Sequence, residues 1–306
     1  MKHHFGGPWT FIKVDMLGRY LNFFNTALQH QPSKDRPFRR IYIDAFAGTG
    51  QCDIKVGHQG RMTIEGSALR AIQSAPHFDK IHLVELKNSH VESLKQLASQ
   101  YPEQQLTIHN GDCNIILDKI LESTNWKSTR GVLFLDPYGM SVHWETVQKI
   151  AATQALDVWY LFPLSAIYRQ AANDYADVDD GKAAALDQVL GTTAWRDDFY
   201  SERSATDFFA QNDTKTRERH ATPNDIATWV HQRLAQTFAG WVSPPIMLPT
   251  EGAPLFALFF AVSNPSSKAV QLSRKAAAHL FEMLRQKRIT PKSMPVSEDT
   301  QHDLFG

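Results

Sequence analysis

The sequence is short of the features that mark several protein classes. Two cysteines, Cys52 and Cys113, stand in 306 residues, too few for a disulfide framework or a cysteine metal cluster. No histidine pair has the spacing of a zinc ligand set, so no metal is expected. A reducing, cytoplasmic compartment is the simplest setting for such a chain. Neither sign of charge is in excess: 32 Lys and Arg face 32 Asp and Glu. A general nucleic-acid coat is usually strongly basic, whereas one electropositive groove would suffice for a nucleic-acid substrate. Apolar runs long enough to span a bilayer are missing, and Met1-Lys2-His3-His4-Phe5 does not begin a signal peptide; a membrane partner is not expected. No internal repeat is visible. What the chain does have is 42% hydrophobic against 21% charged residues, a balance that predicts a buried core.

Apolar runs alternate with helical patterns. Trp9 to Gln29 carries Phe11, Met16, Leu17, Tyr20, Leu21, Phe24 and Leu28 at helical spacing. Strands are predicted at Arg40–Ala45, Lys80–Glu85, Leu106–His109, Gly131–Asp136 and Asp157–Phe162, with helices from Ser89, Asp112 and Trp144 between them. Gln51 to Thr63 reads as a loop, and Ser67 as the N-cap of the helix after it. This alternation predicts an α/β fold, a doubly wound, Rossmann-like parallel sheet. Residues 164–221 read as a helical insertion suited to a substrate lid or docking surface. Residues 222–268 supply a last helix, from Pro223, and two strands that would close the sheet as an antiparallel hairpin around Thr250-Glu251-Gly252. Residues 1–163 would then form the core, and 269–306 a C-terminal helix and tail.

In this architecture ligands sit outside the carboxyl ends of the strands, so the polar residues there carry the functional reading. Ile41-Tyr42-Ile43 ends on Asp44 and turns into Ala45-Phe46-Ala47-Gly48-Thr49-Gly50. Glycines there let a ligand lie on the backbone. A dinucleotide site would place a third glycine where Asp53 stands, which disfavours a nicotinamide cofactor. The expected cofactor is S-adenosylmethionine (SAM), its ammonium on Asp44 and its methionine end on Phe46, Ala47, Gly48 and Gly50. Glu85 is expected to accept ribose hydroxyls, and Asp112 with the Cys113 N–H to meet the adenine ring, Asp112 doubling as a helix N-cap. Asp136-Pro137-Tyr138-Gly139 closes the fourth strand; its acceptors would align an amine, and Tyr138 would stack on a planar base. Lys13 and Arg169 are the expected anion-binding residues, for a cofactor carboxylate or a substrate phosphate; a snorkelling lysine and an ordinary helix salt bridge are their structural alternatives.

Several of these stretches together resemble the three-Cys-motif partner proteins, often called TcmP: Trp9-Thr10 with Lys13, Tyr20-Leu21, Asp44 to Gly50, Gly66-Ser67, Phe134 to Gly139, and Asp157 to Pro163. The resemblance runs from the N-terminal helix to the closing hairpin. It implies a class I SAM-dependent methyltransferase fold and a cysteine-motif protein as partner. Asp136-Pro137-Tyr138-Gly139 is also similar to the Asp-Pro-aromatic-Gly of tRNA guanine-N2 methyltransferases, and lacks the second proline of the Asp-Pro-Pro-Tyr motif. The expected activity is methyl transfer to an amine, of a nucleobase first; the rival is a non-catalytic partner that docks and regulates a cysteine-motif protein.

Overall fold

The computed structural model describes residues 8–55, 61–204, 215–248 and 256–286. The tail beyond Gln286, Gly57, Gly60 and the turn around Glu251 lie outside them. In chain order the elements are α1 (Pro8–Leu28), β1 (Arg39–Asp44), β2 (Gln51–Lys55), β3 (Arg61–Glu65), α2 (Ser67–Ile72), β4 (Lys80–Glu85), α3 (Asn88–Ala98), β5 (Leu106–Asn110), α4 (Cys113–Ser123), β6 (Thr129–Leu135), α5 (Trp144–Ala152) and β7 (Leu156–Phe162). They continue with α6 (Leu164–Gln170), α7 (Asp180–Leu190), α8 (Trp195–Asp198), β8 (Tyr200–Ser204), β9 (Lys215–Arg219), α9 (Pro223–Thr237), β10 (Trp241–Val242), β11 (Ile246–Leu248), β12 (Phe256–Val262) and α10 (Ser267–Gln286).

The main sheet runs β10-β12-β7-β6-β1-β4-β5, with β11 also on β12. Pairs from β7 to β5 are parallel, and β12 lies antiparallel to β7. This is the doubly wound class I methyltransferase-like sheet with its antiparallel closure. The inner strands are mostly apolar because helices cover both faces; every residue of Leu156–Phe162 is buried, Asp157 included. On one face Tyr42, Leu83, Phe134, Trp159 and Phe260 pack with Leu17, Tyr20, Leu21 and Phe24 of α1 and with Ala277 and Leu280 of α10. On the other, Ile43, Leu133, Val158, Tyr160 and Phe259 pack with α4, α5 and α9 through Leu117, Ile150 and Val230.

Four local expectations are corrected. The loop predicted after Gln51 holds an antiparallel hairpin, β2 with β3, outside the main sheet; the alternation of Ile54, Met62 and Ile64 with polar residues is its period-2 signal. Ser67 is not an N-cap. Gly66 takes that position without a side-chain cap, and the Ser67 hydroxyl turns inward to the Tyr42–Asp44 pair. The insertion is not purely helical, since β8 and β9 pair within it as a polar hairpin. The closing hairpin's first arm is broken into β10 and β11 by Ser243-Pro244-Pro245, because proline has no N–H for a sheet ladder.

Candidate functional site

The chain leaves β1 for β4 and β5 on one side, then crosses to β6 and β7 on the other. The crevice at such a switch point, outside the carboxyl ends, is where ligands bind in open α/β sheets. Asp44 is in register with Leu83 on one neighbour and Phe134 on the other. Glu85 and Asp136, two residues further along each neighbour, therefore flank the loop that follows Asp44.

That loop is built from backbone donors and two left-handed glycines. Ala47 N–H donates to the Val84 carbonyl at 3.0 Å and Gly50 N–H to the Ala47 carbonyl at 3.3 Å. Gly48 has φ of 60° and Gly50 of 80°, and only glycine takes such values without strain. A Cβ on Gly50 would come 2.5 Å from a Leu97 methyl, whereas nothing lies within 4 Å of one on Gly48. The peptide at Gly48 thus faces open space that a side chain would fill, the condition for a ligand resting on backbone.

Two carboxylates serve this loop differently from expectation. Asp44 is fully buried. Its oxygens accept from the Tyr42 hydroxyl and the Phe46 N–H, each at 3.2 Å. Burial pushes its pKa up to about 6, against the lowering effect of the Ser67 hydroxyl, the Phe46 N–H and the Tyr42 hydroxyl. It shapes the turn from inside, and the side chain expected to meet a ligand ammonium has no exposed surface. Glu85 is buried as well, accepting from Gly48 N–H at 3.0 Å and Lys87 N–H at 2.8 Å. It grips the glycine loop from the end of β4.

Asp112 caps α4, accepting from Asn114 N–H at 2.9 Å and Ile115 N–H at 3.3 Å. Cys113 is buried; burial, with Asp112 beside it, pushes its thiol up to about 12, so it contributes backbone rather than reactivity. The side chain of Asn114, which the sequence reading passed over, uses all its capacity. Its amide donates to the Ser141 carbonyl at 2.9 Å and to Asp112 at 3.2 Å, while its oxygen accepts from His143 N–H at 3.0 Å and the Thr146 hydroxyl at 2.9 Å. It ties the end of β5 to the segment that carries Asp136, Pro137 and Tyr138.

Asp136, a quarter exposed, forms an ion pair with Lys13 of α1. The structure thus brings Lys13 to the site, bound to a carboxylate instead of standing free for an anion. Pro137 is buried, and Tyr138 is half exposed with the Lys87 ammonium 5.8 Å from its ring centre. Arg169 is exposed in the last turn of α6, and no hydrogen bond or ion pair joins it to Asp136 or Gly48. Four large apolar side chains stand exposed among the described residues: Leu86, Ile115, Tyr138 and Leu272. The first three follow β4, β5 and β6 at the carboxyl edge, so the crevice has an apolar rim. Leu86 and Ile115 were legible only as hydrophobic residues just past a strand end. Among the described residues, no cluster of three or more His, Cys, Asp or Glu could hold a metal ion, and no helix is long and apolar enough to cross a membrane.

No family model matches the chain, and no curated protein matches it; the likeness to three-Cys-motif partner proteins rests on the residues quoted for it. Solved structures do match. Protein LPL1258 from Legionella pneumophila shares 12% identity over 90% of this chain and 94% of its own, with a TM-score of 0.49. The putative methyltransferase yhhF from Escherichia coli shares 12% over 67% and 86%, TM-score 0.31. An S-adenosylmethionine-dependent methyltransferase from Clostridium acetobutylicum shares 11% over 80% and 91%, TM-score 0.31. At these values the fold rests on the strand order itself, and the chemistry on the residues above.

Proposed function

We propose that the chain is a SAM-dependent methyltransferase acting on an amine, with a nucleobase amine as acceptor. One observation supports this most: at the switch point, beside a glycine loop open at Gly48, a partly exposed carboxylate already holds an amino group, that of Lys13. An acceptor amine takes the place of Lys13 on Asp136, which accepts its N–H and turns its lone pair toward the loop. Tyr138, half exposed beside it, offers a face for a planar base, an interaction of roughly 1–3 kcal/mol per base. The backbone of Phe46 to Gly50 cradles the methionine end of the cofactor. Glu85 holds Gly48 in place and, a carboxylate having about four acceptor positions, takes a ribose hydroxyl as well. Asp112 and the Cys113 N–H lie on the adenine side with Leu86 and Ile115. Bound there, SAM would supply a methyl group activated by its sulfonium. The chain's own contribution is alignment in a site shielded from water, which needs little acid–base help. Arg169 at the insertion would meet an anionic part of a nucleic-acid substrate, and the resemblance adds a cysteine-motif protein as partner, testable by co-purification.

Calorimetry with SAM tests the cofactor site. Gly48→Arg places a long side chain in the open space and should weaken binding by about a hundredfold or more, at a folding cost of roughly 1–3 kcal/mol for the left-handed residue; equal affinity in both proteins would remove the site. Asp136→Ala should bind SAM as the wild type does yet transfer no label from methyl-labelled SAM to fractionated nucleic acid. Label entering protein alone would overturn the nucleobase acceptor.

A further inference from the structure

A second cavity, of about 330 Å³, opens at the opposite edge of the sheet between α1 and α10. Its size falls at the lower end of small-molecule sites. Tyr20, Phe23, Phe24 and Phe38 contribute aromatic wall, and Leu272, the fourth exposed large apolar residue, stands among the lining residues. The carboxylate among them is Asp157 on β7, nine-tenths buried. Its partners are neutral hydroxyls: Tyr20 donates at 2.6 Å and Ser273 at 3.5 Å. No cationic group of the described residues lies within 4.0 Å of it. The other charged groups that line the space are Arg130 and Lys268. Arg130 donates to the Trp126 and Thr129 carbonyls and lies over the Phe38 ring at 4.1 Å, and its charge favours the ionised Asp157 from beyond ion-pair distance; Lys268 is exposed in the first turn of α10.

A buried carboxylate whose hydrogen-bond partners are neutral, with Arg130 acting on it only from a distance, is incompletely compensated, and aromatic faces around it favour a cation. We propose that this cavity binds a small organic cation: one ammonium group, seated on Asp157, on an apolar body that fills the space between Phe23, Phe24, Phe38 and Leu272. The site is separate from the crevice at the carboxyl edge and does not depend on the methyltransferase reading. Burial raises Asp157 to about 6, so the charge that the ligand needs is present at neutral pH and fades as the solution is acidified.

Calorimetry on the full chain with phenethylamine, phenethyl alcohol and 3-phenylpropionate tests this. The amine should bind saturably near pH 8, at least about tenfold tighter than the alcohol or the acid, and more weakly near pH 5. Asp157→Asn still accepts the Tyr20 hydroxyl, so the anchoring of α1 survives while amine affinity drops by about tenfold or more. Ala269→Phe, which narrows the cavity without touching Asp157, should also lower amine affinity by about tenfold or more and serves if the first variant folds poorly. Equal affinity for amine and alcohol, tighter binding of the acid, unchanged binding in both variants, or no binding of the amine would each overturn the proposal.

Discussion

At the scale of single residues, Asn114 is the position where one side chain governs most. Four hydrogen bonds converge on its amide, joining the cap of α4 to the Ser141 carbonyl, the His143 N–H and the Thr146 hydroxyl. Asn114→Ala leaves those buried partners unmatched, at about 1–3 kcal/mol for each unsatisfied group. Asn114→Asp keeps the acceptor but sets a carboxylate against Asp112 and the Ser141 carbonyl. Both variants should raise hydrogen exchange at residues 136–143 and lower methyl transfer by about tenfold or more, because a small misplacement of reacting groups is costly. SAM affinity should change much less, since the glycine loop hangs from Glu85 and Val84. Unchanged exchange in that segment would show that Asn114 does not brace it. Nothing in the sequence marks this residue: an asparagine two positions after a helix cap is an ordinary polar residue until the fold brings Ser141 and Thr146 to it.

At the scale of elements, α1 explains which features could be read in advance. Its apolar spacing named Leu17, Tyr20, Leu21 and Phe24 as a buried stripe, and all four are buried. The same spacing says nothing about partners far along the chain, and α1 is fixed by two: Lys13 meets Asp136 across 123 positions, and Tyr20 meets Asp157 across 137. Strand ends were legible because acidic residues close β1, β4 and β6 just before turn residues. Their roles were not, because whether Asp44 and Glu85 face a crevice or the inside of a loop depends on where Ser67 and the Gly48 N–H fall. The β8–β9 hairpin was missed because its residues are mostly polar, without the apolar alternation that marks a half-buried strand. Tyr20→Phe tests the lower tie of α1: it removes the donor nearest a buried carboxylate and should cost about 1–3 kcal/mol, measured by denaturant midpoint at neutral pH, with SAM affinity preserved. A loss below the error of that measurement would mean that Ser273 alone satisfies Asp157.

For the whole molecule, buried titratable groups of opposite kind set the response to acid. His82 on β4 and His109 on β5 stack with their ring nitrogens 2.9 Å apart. Burial, with Lys80 nearby, lowers both, His82 to about 3. Unfolded histidines titrate near 6.5, so on acidification the unfolded chain takes up protons that the folded pair refuses, and stability is lost as pH falls below about 6.5. Asp44 and Asp157 act in the other direction. Burial raises each to about 6, so the folded chain takes up their protons before the unfolded carboxylates do, and stability is gained as pH falls through about 6. Each carboxylate shift corresponds to about 3 kcal/mol when complete, at 1.36 kcal/mol per pKa unit. The two pairs oppose one another between about pH 6.5 and 4, and the wild-type melting temperature should change little across that range. Removing one side of the balance should expose the other: Asp157→Asn should melt progressively lower as acid is added, while His82→Leu should hold or gain stability over the same range. Parallel pH profiles for the wild type and both variants, measured by scanning calorimetry, would mean that these buried groups do not set the acid response and that exposed carboxylates do.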